Sequence, residues 1–524
     1  MSLSDAYFAQ FGVAPNQPEE LCHTMYGLLA RTAARYPTHI AWTYRQRSCR
    51  YEDLVKHVDR TAAWLYGLGI RRGERVGLCL PNCPRLLESL YGINRLGAVA
   101  DLVSPLLSQS QIARRLSGCK AVLTLDRWQH HLRAALPEMP LLVEGQETAI
   151  EMPDPDLPEI ARDADAPAVI LSSGGTTGTP KGVVLSSRNC NALALQTLAA
   201  LELPPLAGKG VLVALPNYHG FGLGVAIHTP LVCGARCVLL PQYSPEALVQ
   251  CIRQEKPAIF PGVPAMFAAL VDAPALKGQD LSCLEGLFCG GDALQPQLKA
   301  RVDACLAAHG CREQLREGYG ATECVAAACL MPRFAQKIGA MGRLCPGVDC
   351  CIVTPDTTDP LPSGHIGEIC LRSGAVMLGY WQQPAETAQV LRDHGDGKRW
   401  LHTGDLGWLD KQGFLYFQQR RKRMIITNGY NVYPSELEQV LQSHPAVAEC
   451  CVVGLPDVIR GQQVCAYVVP AAEILPGEGL KQALLEYCSR FAATYALPRS
   501  VRFCARLPRT PLGKVSYGDL EGRA

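Results

Sequence analysis

Residues 172–182 read "SSGGTTGTPKG", and the chemistry of this stretch directs the reading of everything around it. The apolar run Ala168-Val169-Ile170-Leu171 leads in, and Val183-Val184-Leu185 leads out. Both flanks read as strands, so the stretch is a loop joining two of them. Its glycines let backbone N–H groups converge on an anion, its hydroxyls add donors, and Lys181 adds charge. That inventory suits a polyphosphate. A Walker loop is excluded, because it needs Gly-Lys followed by Ser or Thr and then a helix. Here Pro180 precedes the lysine and Gly182 follows it. A Gly/Thr hairpin that holds no ligand would use the same turn chemistry, and this stretch alone leaves that alternative open.

The chain has 524 residues, too many for one ordinary core, which predicts two or three domains. With 48% apolar and 19% charged residues it belongs among globular proteins. A net charge of +2 without charged blocks gives no electrostatic case for nucleic acid or an anionic membrane as partner. No apolar run reaches the roughly 18 residues that a membrane helix needs. The opening "MSLSDAYFAQFGVAP" lacks a basic start followed by an apolar core. A cytoplasmic protein is therefore expected. The 24 cysteines are scattered, without a single Cys-x-x-Cys pair. They read as buried, reduced, small hydrophobes and not as metal ligands, since ligand spacing is missing. Cys350-Cys351 and Cys450-Cys451 lie in apolar stretches, and His130-His131 is an isolated, solvated pair.

Residues 20–120 alternate helical and strand patterns: the helix "YEDLVKHVDRTAAWLYGLGI", the strand "ERVGLCL", then the helix "PRLLESLYGINRLGAV". This alternation predicts helices packed on largely parallel sheets. Similar units recur in "KGVLVALP", "ARCVLLP", "PEALVQCIRQEKP" and "AIFPGVP". From about residue 345 the texture changes to short strands and turns, "DCCIVTP", "GEICLRSG" and "FLYFQQ". A second βα region follows from about 430, with the helix "PSELEQVLQSHP" and the strand "AECCVVGLP". The basic run Arg420-Arg421-Lys422-Arg423 lies between these textures and reads as a linker or hinge.

Four further motifs follow the opening loop in order: "EGYGATE" (317–323), "HTGDLGWLD" (402–410), "RRKRMIITNGYNVYPSELE" (420–438) and "PRTPLGKV" (508–515). Together the five resemble the motif series of the adenylate-forming enzymes, over essentially the whole chain from about residue 25. The resemblance implies an α/β fold: a large N-terminal domain of two βα-layered subdomains plus a small β-barrel, and a small mobile α+β C-terminal domain. The corresponding division is 1–421 and 422–524. It implies two half-reactions: a carboxylate attacks the α-phosphate of ATP to give acyl-adenylate and pyrophosphate, then a thiol or other nucleophile displaces AMP.

By the same resemblance, Ser173, Gly174, Gly175, Thr176, Thr177, Gly178 and Lys181 hold the β and γ phosphates. Many relatives carry Ser or Thr where Gly174 stands. Tyr319, with Gly320, is similar to the residue that stacks on adenine. Thr322 would donate to the α-phosphate, and Glu323 would ligate Mg²⁺, a hard cation that prefers carboxylate oxygen. Asp405 would accept from the ribose hydroxyls, and Arg420 fits a ribose-contacting arginine, although Gln419 replaces the glycine usual before it. Lys422 stands at the family's hinge position, Gly429 beside its tunnel for a phosphopantetheine arm, and Lys514 is its catalytic lysine. Catalytic roles thus fall to Lys514, Thr322, Glu323 and Lys181. An acyl pocket is expected around 216–225, 261–267 and 289–294, with His219, Phe221, Gly222, Gly290 and Gly291. No Asp stands where a bound amino group would need one, and the segments are apolar, so a medium- or long-chain fatty acid is expected first and an aryl acid second. The implied cofactors are ATP, Mg²⁺ and coenzyme A. An acyl carrier protein is the alternative acceptor, and a non-catalytic nucleotide-binding protein is a third class. Retention of both lysines, Glu323 and Asp405 argues against that class.

Overall fold

The apolar runs on either side of the glycine-rich stretch pair antiparallel, Pro167–Ser172 against Gly182–Ser186, with Leu171 opposite Val183. The expected two-strand junction is there. The structure, a computed structural model, describes residues 18–143, 161–173, 181–427, 430–457, 460–492, 496–509 and 515–522.

This hairpin belongs to a seven-stranded sheet running Gly379–Tyr380, Gly182–Ser186, Pro167–Ser172, Val99–Leu102, Arg75–Cys79, Ala121–Thr124, Leu141–Val143. From Pro167–Ser172 onward its neighbours pair parallel. Arg75–Cys79 is buried at every position, as a strand covered by helices on both faces must be. The helix Tyr51–Gly67 forms where expected. The next, Pro84–Arg95, is shorter than its apolar pattern suggested. Gly97 turns the chain at φ +69° and the following residues 99–102 become a strand.

A second, fourteen-stranded sheet has two textures. Gly210–Val213, Ile259–Gly262, Gly286–Cys289 and Leu315–Gly320 pair parallel. Beyond them Ala327–Leu330, Gly342–Leu344, Phe414–Arg420, Arg399–Leu409, Gly367–Arg372 and Asp349–Val353 continue antiparallel. The strand-rich region expected from about residue 345 is therefore hydrogen-bonded in series with the βα sheet. A five-stranded sheet from Ile425 onward has its own apolar cores, one around Leu437, Val452, Ala466 and Leu484 and another around Leu455, Tyr467 and Leu507. Among the described residues no helix is long and apolar enough to cross a membrane.

Between the two large sheets the helices bury one histidine completely. His228 Nε2 lies 2.8 Å from Asn191 Oδ1, and its Nδ1 lies 2.8 Å from the Tyr91 hydroxyl. The Asn191 amide nitrogen donates to the His23 carbonyl, so its oxygen is the acceptor. His228 Nε2 therefore carries the proton, and Tyr91 donates to Nδ1. Both ring nitrogens are satisfied by the neutral form, and burial pushes the imidazole down to about 3 from 6.5. A lowered histidine binds fewer protons folded than unfolded, so stability is lost as pH falls below about 6.5. Lowering the pH from 7 to 5 should cost about 2 kcal/mol through this residue. Urea unfolding of wild type and His228→Gln at both pH values checks this: the variant should lose measurably less on acidification.

Candidate active site

Parallel strands offer ligands the crevice at their carboxyl ends, and most of the expected site residues that are described gather there. Leu315–Gly320 ends in Tyr319 and Gly320; Gly286–Cys289 ends at Gly290 and Gly291; Ile259–Gly262 ends just before Val263. After Gly210–Val213 the chain runs through His219 into a π-helical segment, Phe221–His228. A methyl group at Gly290 would lie 3.6 Å from the Phe221 ring, and one at Gly291 would lie 3.5 Å from Val263. The three apolar segments expected to form an acyl pocket are thus neighbours. Gly222 packs so closely that a methyl there would sit 2.1 Å from the Pro216 carbonyl oxygen. His219 is half-buried on this turn, its ring 5.5 Å from that of Tyr218.

Tyr319, Asp405 and Arg420 come together from strands far apart in sequence. Asp405 and Arg420 are cross-strand partners, with Arg420 Nε 3.0 Å from Asp405 Oδ1. The Tyr319 hydroxyl donates to Asp405 Oδ2 at 2.7 Å. Asp405 is 1% exposed, and its charge raises the Arg420 guanidinium above its ordinary value. Burial, then the Asp405 carboxylate, raises the Tyr319 phenol well above 10. The Tyr319 ring packs 6.0 Å from Phe417. Asp405 follows a bulge in its strand, where Gly404 takes φ +70° and donates its N–H to Glu368.

A second cluster holds Lys181 and Glu323. Ser173 and Lys181 close the base of the glycine-rich loop: Ser173 N–H donates to the Lys181 carbonyl at 2.8 Å, and Lys181 N–H to Ser173 Oγ at 3.1 Å. Gly379–Tyr380 pairs along the strand that follows. That pairing sets the Tyr380 ring 4.7 Å from Lys181 Nζ, and its hydroxyl donates to Glu323 Oε1 at 2.9 Å. Glu386, in the first turn of Pro384–Val390, forms an ion pair with Lys181. That contact lowers the Glu386 carboxyl below its ordinary value.

Thr322 and Glu323 sit in a single 3₁₀ turn, followed by Val325 at φ 62°, ψ −59°. The Ala326 N–H bonds back to the Cys324 carbonyl at 2.7 Å, closing a γ-turn. Such a conformation is strained for a β-branched residue and holds only where its surroundings over-determine it. Here Val325 is fully buried. Gly320 tolerates the return of this turn because a methyl there would lie 1.6 Å from the Ala326 carbonyl oxygen.

Gly174, Gly175, Thr176, Thr177, Gly178, Gly429 and Lys514 lie outside the described residues. Lys422 is exposed in the turn Arg421–Arg423. Its flanks are not simply solvated, as a basic run suggests. Arg421 pairs with Asp356 at 2.5 Å, while Arg423 pairs with Glu438 at 2.5 Å and lies 3.9 Å from the Tyr517 ring centre. Tyr380 and Glu386 escaped sequence reasoning, because neither stands in a motif and only strand pairing carries them to Lys181. Glu317 lies inside "EGYGATE" without an expected role. It is buried, accepts from the Leu294 N–H at 3.3 Å, and burial pushes its carboxyl up to about 7.

Residues 29–381 match the family described as AMP-binding enzyme, and residues 436–514 match the AMP-binding enzyme C-terminal domain. The chain is 30% identical to a long-chain-fatty-acid–CoA ligase of Bacillus subtilis, over 94% of this chain and 93% of the relative. It is 31% identical to a feruloyl-CoA synthase of Amycolatopsis, over 94% of this chain and 97% of the relative. Among solved structures it resembles the o-succinylbenzoate coenzyme A synthetase of Bacillus subtilis in complex with ATP and magnesium ion. That match has 26% identity and a TM-score of 0.81, covering 94% of this chain and 98% of the other.

The Tyr319 hydroxyl is a donor to a deeply buried carboxylate, and losing such a donor costs about 1–3 kcal/mol. Tyr319→Phe should lower the unfolding free energy by that amount in urea denaturation. An unchanged midpoint would show that Asp405 does not depend on this hydroxyl.

Proposed function

The chain belongs to the AMP-binding enzyme family, and from that premise we propose that it activates a hydrophobic carboxylic acid, a medium- or long-chain fatty acid first. At the coarser level it is an AMP-forming acid–thiol ligase, converting an acyl or aryl acid to its coenzyme A thioester through an adenylate. The observation that carries the reading is the Asp405 junction: three motifs spanning about a hundred residues converge on one buried carboxylate, and the strand of Tyr319 lies next to the one that ends at the apolar segment of Gly290. An aryl acid is the second reading, supported by the feruloyl-CoA synthase being as similar as the fatty-acid ligase.

In the first half-reaction an oxygen of the acid attacks the α-phosphorus of ATP, and the bond to the β-phosphate oxygen breaks. Asp405 has the capacity for ribose: a carboxylate offers about four acceptor sites, and the Tyr319 hydroxyl occupies one of them while Arg420 pairs with the other oxygen as an ion. Tyr319 would present its face to adenine while its hydroxyl stays anchored. Ser173 and Lys181 would hold the departing pyrophosphate, with Glu386 as counter-ion of Lys181 until the polyphosphate takes its place. Thr322 would donate to the α-phosphate and Lys514 would offset charge building on the phosphoryl oxygens. Glu323 fits a magnesium ion, since it presents a half-buried carboxylate with one oxygen oriented by Tyr380. When bound, such an ion supplies charge neutralisation for the phosphates.

In the second half-reaction the thiol sulfur attacks the acyl carbon and AMP leaves. We place the pivot between the two arrangements at Lys422, with domains 1–421 and 422–524. Arg421 is tied back to Asp356 and Arg423 forward to Glu438 and Tyr517, so rotation is focused on the exposed residue between them. Gly429 would then stand beside the thiol's path.

Carboxylate-dependent ATP–pyrophosphate exchange with a panel of fatty and aryl acids tests the activity and ranks the substrates. Lys514→Ala should cut adenylation roughly 10²-fold or more while transfer from supplied acyl-adenylate persists. Equal loss in both halves would remove the alternation. Exchange with no acid in the panel would remove the whole reading.

Glu386→Gln isolates the counter-ion. The pair is 32% and 43% exposed and screened by solvent, so it competes only modestly with a polyphosphate. The KM for ATP should therefore fall, by less than about 10-fold, with kcat unchanged. A raised KM would show that Glu386 assists nucleotide binding.

A further inference from the structure

Apart from the nucleotide clusters, the antiparallel part of the large sheet brings together one thiol and two imidazoles. Cys370 and His402 are direct cross-strand partners, both buried. His394 follows the short strand Leu391–Asp393 and is half-buried. The ligand atoms of the three residues all lie within 4.8 Å of one another. We propose that Cys370, His394 and His402 form a binding site for a borderline divalent transition cation, zinc first, with a fourth position open to solvent through His394.

The orientation of the imidazoles supports this. His402 Nδ1 lies 3.1 Å from Glu368 Oε2. The carboxylate accepts a hydrogen bond from Nδ1–H, leaving Nε2 with its bare lone pair facing His394, the arrangement in which a carboxylate orients a metal-binding histidine. Glu368 is itself held, its other oxygen accepting the Gly404 N–H at 3.1 Å. The two Nε2 atoms are 3.0 Å apart. Two imidazole nitrogens on one tetrahedral zinc, each at about 2.0 Å, are separated by about 3.3 Å. The His394 ring is stacked on Trp400, 5.0 Å between centres at 11°. Its turn is fixed by Asp393 Oδ1, which accepts from the N–H groups of Gly395, Asp396 and Gly397.

Without the ion, His394 Nε2–H donates to His402 Nε2. On binding, His394 moves its proton to Nδ1 through solvent, so the histidines release none. The Cys370 thiol loses its proton to water, and sulfur and two nitrogens bond the cation. One proton leaves per ion. A thiolate and two imidazoles suit zinc or cobalt and not magnesium, which prefers oxygen. The site is thus chemically separate from Glu323. It is linked to the nucleotide strand through Glu368 and Gly404, next to Asp405.

Cobalt(II) titration of chelator-stripped, reduced protein tests the site. One equivalent should produce the intense d–d bands of a tetrahedral centre with a sulfur-to-cobalt charge-transfer band, both bleached by one equivalent of zinc. Cys370→Ser should abolish the charge-transfer band, and Cys350→Ser, opposite Leu371 and so on the other face of the sheet, should keep it. His394→Ala, at a half-buried position outside any strand, should fold and lose the tetrahedral spectrum. Glu368→Gln should weaken affinity about 10- to 100-fold. The proposal is overturned if no such spectrum forms at one equivalent. It is equally overturned if the spectrum survives both Cys370→Ser and His394→Ala, which would place the cation on other thiols.

Discussion

A carboxylate that is 1% exposed must be paired or it would be expelled or neutralised, and the pairing of Asp405 governs how this protein is assembled. Its partners come from two other strands of one sheet, the Tyr319 hydroxyl from the parallel half and the Arg420 guanidinium from the antiparallel half. Satisfying a single charge therefore requires the two textures of the large sheet to be in register. The bulge at Thr403-Gly404 belongs to the same constraint, because it re-aims the strand just before the carboxylate. The Tyr319–Asp405–Arg420 arrangement and the continuity of the sheet are one structural fact.

The other half of the site follows a different logic. Lys181 and Glu323 are joined through Tyr380, a residue that sits on an edge strand and owes its place to pairing with Gly182–Ser186. These contacts are only partly buried, so solvent or a charged ligand can compete with them. The Glu386–Lys181 ion pair is the clearest case: half-exposed and lightly held, it can give way to a ligand of higher charge. The basic run after the sheet is likewise divided, one arginine bonded to each side of an exposed lysine.

Most elements were legible from periodicity, because buried parallel strands and amphipathic helices leave unambiguous patterns. The helix beginning at Pro84 was over-extended, since Leu96-Gly97-Ala98-Val99 continues the apolar run while Gly97 breaks the backbone. The cysteines were read as inert, and for most of them burial bears that out: thiols such as Cys190, Cys237 and Cys329 are buried and raised by desolvation. Cys370 differs only because strand pairing places His402 across from it and a turn folds His394 over both. Spacings of 24 and 32 residues from Cys370 carry no ligand signal.

The amino-acid sequence by itself determined the candidates: a donor-rich loop suited to a polyphosphate, apolar glycine-rich segments, and, through the resemblance of its five motifs, carboxylates proposed for ribose and for a hard cation. Those are properties of residue types in short, ordered motifs, and no folding is needed to read them. Only the tertiary structure decided which groups meet. Tyr319 reaches Asp405, Tyr380 reaches Glu323, Glu386 occupies Lys181, and Glu368 ties His402 to the strand of Asp405. The physical reason is that these partners are matched by strand register and backbone close approach across tens to hundreds of residues. Such matching is set by the packing of whole sheets, which local sequence pattern does not encode.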